Sequence, residues 1–198
     1  MKKTTIININ KPTSKDVEKY LNKWDSTENY VLQENALNRL FFELCASNDD
    51  ISNVLIKCSA LNDFYSTNIF SVFAVAKHIV ELDIDERLKA GDLSLVNDIS
   101  HVTINGRLKN FYSFASKYCS HHFPEKYAIY DSYVDKVLVH FNKVDEFSDF
   151  RREDLKDYEK FNKVLMDFRS FYGLDEYNLK DIDRYVWQLG KEYFPKKY

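Results

Sequence analysis

Glycine and proline are scarce in this chain, four and three among 198 residues, and that scarcity most constrains what it can fold into. A sheet of many short strands needs tight turns, and those turns draw on Gly and Pro for backbone angles that other residues resist. Helices make no such demand, so the predicted class is all-α. The apolar residues recur at the spacing this requires. Val17, Tyr20, Leu21 and Trp24 fall on one side behind a Thr13 or Ser14 cap. A second helix is expected over 29–46, with Leu37, Leu40, Phe41 and Leu44 inward, and a third opens at Asn48-Asp49-Asp50 and breaks at Asn62-Asp63. The run 66–82 is nearly apolar through Ile69, Phe70, Val72, Phe73, Val75, Ala76 and Ile79, which predicts a central buried helix.

Beyond a turn at Gly91, the pattern predicts a short helix around Leu95 and Ile99 and a loop at 103–106. A helix over 109–121 and a break at Pro124 follow, and then a helix opened by Asp131-Ser132. Two more helices follow, one from Glu153 to Gly173 and one capped by Asn178. Residues 1–12 read as a short extended arm. With no repeat, low-complexity stretch or linker, the chain reads as one domain over 1–198.

Several classes are excluded by composition. The chain holds 14 Tyr, 15 Phe and 2 Trp, yet mean hydropathy is -0.48 and no run reaches the roughly 20 apolar residues of a membrane span. No membrane partner is expected. Met1-Lys2-Lys3-Thr4-Thr5 is not followed by an apolar signal core. Cys45, Cys58 and Cys119 are odd in number, lack CxxC spacing and sit in helical runs. They read as buried reduced thiols and place the chain in a cytoplasm. No phosphate loop, GxGxxG, HExxH, GxSxG or paired-cysteine zinc pattern occurs. Cys119, His121 and His122 would diverge at a helix end, so neither a metal nor any other cofactor is expected. Charge is uneven along the chain. Residues 101–143 set Arg107, Lys109, Lys117, Lys126, Lys136 and Lys143 against Glu125, Asp131 and Asp135, which predicts a basic face. The six lysines of residues 1–24 suit either an anionic partner or a solvated helix face.

The densest constellation lies in 104–138: Ile104-Asn105-Gly106, then Phe111-Tyr112-Ser113-Phe114-Ala115-Ser116-Lys117, then Tyr130-Asp131-Ser132-Tyr133-Val134-Asp135-Lys136-Val137-Leu138. This order of helix, glycine loop, helix, irregular stretch and helix-opening aspartate resembles the helix-hairpin-helix DNA glycosylase superfamily. Asp131 matches the catalytic aspartate, and Val134 with Lys136 matches the V-x-R that follows it. Tyr65-Ser66-Thr67-Asn68 resembles the Q-x-T segment near the target base. Asp183-Arg184-Tyr185-Val186-Trp187-Gln188-Leu189-Gly190-Lys191 resembles a segment of uncharacterised bacterial relatives. Together the likeness spans about residues 50–190.

The resemblance implies a two-lobed helical bundle with a cleft near Asp131, DNA as partner, and metal-free release of a modified base by N-glycosidic cleavage. It implies that Gly106, Lys109, Lys117, Lys126 and Lys136 meet DNA, and that Tyr65, Asn68 and Tyr112 line the base pocket. Two departures shape the expectation. Only Gly106 survives of the hairpin glycines, and the Schiff-base lysine of bifunctional members falls on Ser113, so lyase activity is expected to be absent. On its own chemistry, Asp131 is a helix N-cap whose carboxylate suits stabilisation of an oxocarbenium-like sugar cation. Tyr127, Tyr130, Tyr133, Tyr112 and Phe111 either stack on an extruded base or fill the core. A catalytically inactive DNA-binding or protein-interaction module on the same fold is the alternative.

Overall fold

The computed structural model describes residues 9–195, and the first eight residues of the expected extended arm lie outside them. Among the described residues the chain is helical apart from one two-stranded hairpin, as the shortage of turn residues predicts. Helix α1 (Ser14–Asp25) starts where Thr13 accepts a hydrogen bond from Asp16 N, and buries Val17 and Tyr20. Helix α2 (Glu28–Asn38) runs into a π-helical turn, Arg39–Leu44. The wider turn rotates the register, so Phe41 is buried while Leu44, expected inward, is 60% exposed.

Helix α3 (Ile51–Tyr65) is capped by Asp50 and passes the expected break at Asn62. Asn62 instead fastens the following loop, taking hydrogen bonds from Ile69 N and Thr67 Oγ1 and donating to Ile69 O. Helix α4 (Val72–Glu81) therefore begins later than expected. It buries Val75, Ala76 and Ile79 but leaves Phe70, in the preceding loop, 97% exposed, and Phe73 is exposed too. It is one-sided, and the expectation of a central helix is corrected. Short helices α5 (Asp85–Ala90) and α6 (Ser94–Ser100) follow.

The loop expected at 103–106 is the tip of a β-hairpin, β1 (His101–Ile104) with β2 (Arg107–Asn110), in which Ile104 pairs with Arg107. Asn105 and Gly106 both take positive φ, 51° and 73°, as a two-residue hairpin turn requires. The flanking Val102 and Ile104 favour strand, and the helix expected from Lys109 begins only at Tyr112. The molecule is centred on α7 (Tyr112–His122), with nine of its eleven residues buried. A buried polar knot ties it to the rest. Lys57 donates to Ser47 O and Asn48 Oδ1, Tyr118 Oη donates to Asn48 Oδ1, and Asp85 accepts from Asn48 N.

Helix α8 (Ser132–Asp145) is capped by Asp131, and a 3-10 turn (Arg152–Lys156) leads into α9 (Tyr158–Phe171). Helix α10 (Leu179–Tyr193), capped by Asn178, packs against both α1 and α8, so the first and last described helices meet. One apolar cluster runs from Val17 to Leu189. Cys45, Cys58 and Cys119 are all buried free thiols. Among the described residues no helix is long and apolar enough to cross a membrane.

Candidate functional site

Asp131 divides its carboxylate between two tasks. Oδ1 accepts from Tyr133 N at 2.7 Å, capping α8, while Oδ2 lies 3.9 Å from Lys117 Nζ. Lys117 projects from α7 with its side chain only 4% exposed, and donates to Ser113 Oγ at 2.6 Å, Ser113 O at 3.2 Å and Tyr130 O at 3.4 Å. Its ammonium also sits 5.2 Å from the centre of the Tyr65 ring. The irregular segment that delivers Asp131 is pinned from three helices. Ser116 Oγ accepts from Tyr130 N, Tyr158 Oη donates to Ala128 O, and Asp183 Oδ2 accepts from Ile129 N at 2.8 Å.

Two cavities meet at this point. One, of about 340 Å³, is lined from α1, α2, α3, α7 and α10 and walled by Trp24, Tyr30, Tyr65 and Trp187. Within that wall Glu34 accepts from Trp24 Nε1 and from Arg184, and pairs with Lys180. Burial opposes ionisation of Glu34, but Lys180 and Arg184 outweigh it and hold its carboxyl below the usual range. His121, on the same wall, shares a 2.9 Å hydrogen bond with Tyr65 Oη. Burial, aided by the nearby Lys180, depresses its pKa to about 3, so the imidazole is neutral. The other cavity, of about 510 Å³, is more polar and is lined by Ser66, Thr67, Tyr112, Ser113, Tyr130 and Lys156 among others. Tyr65, Lys117 and Asp131 line both cavities.

Of the residues the sequence marked, Asp131, Lys117, Tyr65 and Tyr112 are brought together here. Lys117 is nevertheless buried rather than a surface phosphate contact, because its ammonium is turned inward to Ser113 and Tyr130. Tyr112 belongs to the polar cavity, not to the aromatic one. Asn68 is exposed, with a positive φ of 58°, and lines neither cavity. Gly106 and Lys109 lie on the exposed hairpin. Lys126 donates to the Lys89 carbonyl, and Lys136 sits over the Tyr133 ring. Tyr127 is core, its hydroxyl held by carbonyls of 87–92. Sequence reasoning gave no site role to Trp24, Tyr30, Glu34 or Lys156, and marked 183–191 of α10 only as a family likeness. A signal for the last was present: Lys180, Arg184, Trp187 and Lys191 form a cationic and aromatic stripe at helical spacing.

Residues 16–126 match the family described as HI_0787_N, N-terminal domain. The chain belongs to this family. A relative in Haemophilus influenzae, described as an uncharacterized protein, is 56% identical over 147 residues, covering 74% of this chain and 70% of the relative. No solved structure matches. The HI_0787_N match takes in Trp24, Glu34, Tyr65, Lys117 and His121 and ends before Asp131 and α10. The aromatic cavity is thus closed jointly by the matched segment and by the helix at the other end of the chain.

Proposed function

We propose that this HI_0787_N protein binds DNA and releases a base by hydrolysing its N-glycosidic bond, on a fold of the helix-hairpin-helix glycosylase kind whose hairpin has become a β-turn. The observation that supports this reading is the position of Asp131 and Lys117 in the walls of both cavities. An extruded nucleotide would place its flat heterocycle among Trp24, Tyr30, Tyr65 and Trp187, and its sugar and phosphate in the polar cavity beside Lys156. The bond to be cut would then run past the Asp131 carboxylate.

As the C1′–N bond breaks, its electron pair leaves with the base, which takes up a proton from solvent. Asp131 stabilises the sugar cation until water adds to C1′ and gives its proton to solvent. The sequence suggested that Ser113 leaves the site without an amine, but Lys117 supplies one from the next turn, 2.6 Å from Ser113 Oγ. Its donors are directed to Ser113 and Tyr130, so it serves as a fixed positive charge that orients Asp131. Imine formation stays outside this mechanism.

The test is incubation with duplexes carrying a panel of modified bases, followed by alkaline cleavage of abasic sites and, in parallel, borohydride trapping. Strand cleavage that depends on alkali and on Asp131, with no trapped adduct, is expected. DNA binding with no base released from any duplex would reduce the protein to a binding module. Absence of DNA binding would leave a protein-interaction domain.

A further inference from the structure

Helix α10 sets three cations along one wall of the aromatic cavity, Lys180, Arg184 and Lys191, at helical spacing. None of the three lines the polar cavity. Lys180 and Arg184 share a single carboxylate, that of Glu34. Lys191 is exposed, and among the described residues its partners are Tyr30 Oη, at 2.6 Å, and the rings of Tyr30 and Trp187, not a carboxylate. Around the whole cavity Lys117 and these three oppose the carboxylates of Glu34 and Asp131. Asp183 adds little charge at neutral pH, because burial pushes its pKa up to about 8. Four cations against two carboxylates leave an excess of two positive charges. Between aromatic walls charge is poorly screened, so an unmatched excess of one sign favours entry of the other.

Trp24, Tyr30 and Trp187 meet with ring centroids 5.0, 5.5 and 5.9 Å apart. Arg184 lies over Trp24 as Lys191 does over Trp187, so cations and flat apolar surface are presented together. A volume of about 340 Å³ holds one small molecule. We propose that the aromatic cavity binds a phosphate monoester of a planar heterocycle, as in a nucleoside monophosphate, with the ring against Trp24, Tyr30 and Trp187 and the phosphate among Lys180, Arg184 and Lys191. A phosphate monoester carries roughly −1.5 to −2 charge at pH 7, which matches the excess, whereas a phosphodiester within a strand carries only about −1. This ligand is independent of base release: an extruded nucleotide would hold its diester phosphates in the polar cavity, which the cations of α10 do not line. The monoester group occurs both on a free mononucleotide and on the phosphorylated end of a strand.

Trp24 and Trp187, the chain's only tryptophans, both line this cavity, so intrinsic fluorescence reports its occupancy. The full chain is titrated with the four common ribonucleosides, their 5′-monophosphates, their 3′,5′-cyclic diesters and inorganic phosphate, with calorimetry alongside. For at least one base the monophosphate should bind about tenfold or more tighter than the nucleoside, and the cyclic diester should bind more weakly than the monophosphate. Lys191→Gln, a change at an exposed residue, should cut that advantage about threefold or more with the melting temperature held, while Lys191→Arg keeps it. A short single strand with and without a 5′-phosphate separates the two sources. Phosphate-dependent binding as tight as the mononucleotide's assigns the ligand to a strand end, and weaker binding assigns it to the free nucleotide. Monophosphates no tighter than their nucleosides for all four bases, binding of neither, inorganic phosphate binding as tightly as any monophosphate, or a preference unmoved by Lys191→Gln would overturn the proposal. Duplexes that lose no base would end the base-release reading and leave this one standing. Base release with no monophosphate bound would do the reverse.

Discussion

At Asp131 the capping bond and the ion pair use different oxygens, so charge and cap can be separated by one substitution. In Asp131→Asn the amide oxygen still accepts from Tyr133 N, but Lys117 loses its carboxylate. The expected stability cost is about 1–2 kcal/mol, against a loss of base release by roughly two orders of magnitude or more. Thermal melting and single-turnover release check the two separately, and equal excision by the variant would leave Asp131 a cap alone. Asp183 supplies a pH signature. Its folded pKa of about 8 lies above the value near 4 of an unfolded aspartate, so the folded state holds the extra proton between those limits. The stability it contributes is complete below pH about 4 and is lost as pH rises toward 8, at up to about 1.4 kcal/mol per unit. Urea denaturation at several pH values should show this slope in the wild type and its removal in Asp183→Asn.

Helices α8 and α10 meet closely enough that one glycine sets their spacing. A Cβ at Gly190 would fall 2.7 Å from both Tyr133 Cβ and Tyr133 O. Gly to Ala inside a helix ordinarily stabilises by about 1 kcal/mol, but here backbone stands in the way. Gly190→Ala should therefore destabilise by about 1–3 kcal/mol, read from urea unfolding. Because Tyr133 lies in the first turn that Asp131 caps, base release should fall with it. A stabilised variant would show that the helices part without cost. The hairpin teaches a related lesson at this scale. Asn-Gly directly after the β-branched Val102, Thr103 and Ile104 is a local strand signal, although the pattern predicts only a loop at 103–106 with a helix from Lys109.

For the molecule as a whole, the basic balance of 101–143 does not become one continuous cationic face. Lys117 is turned inward, and Lys126 is engaged by a carbonyl of α5. Lys156, from outside that segment, lines the polar cavity instead. DNA binding should accordingly involve few phosphates. A plot of log affinity against log salt should have a slope on the order of −2 to −4, measured by fluorescence anisotropy. A slope near zero would remove the phosphate contacts from the proposal, and one near −6 would restore the full basic face.

The sequence by itself determined the helical class, a cap at Thr13 or Ser14, a helix start within 48–50, the helix openings at Asp131 and Asn178, and the buried side of α1, because caps and amphipathic spacing are local. It also marked Asp131 and Tyr65. Local spacing could not say that Phe70 would point outward, since an apolar run does not reveal where its helix begins. Nor could it turn Lys117 inward, or bring Trp24 and Glu34 to Arg184 across some 150 residues. The aromatic cavity exists only because α10 returns to pack on α1, and the unpartnered Asp183 and Arg184 atoms are consequences of that packing. Contacts between residues distant in the chain decide which polar groups lose water, and tertiary structure alone sets those contacts.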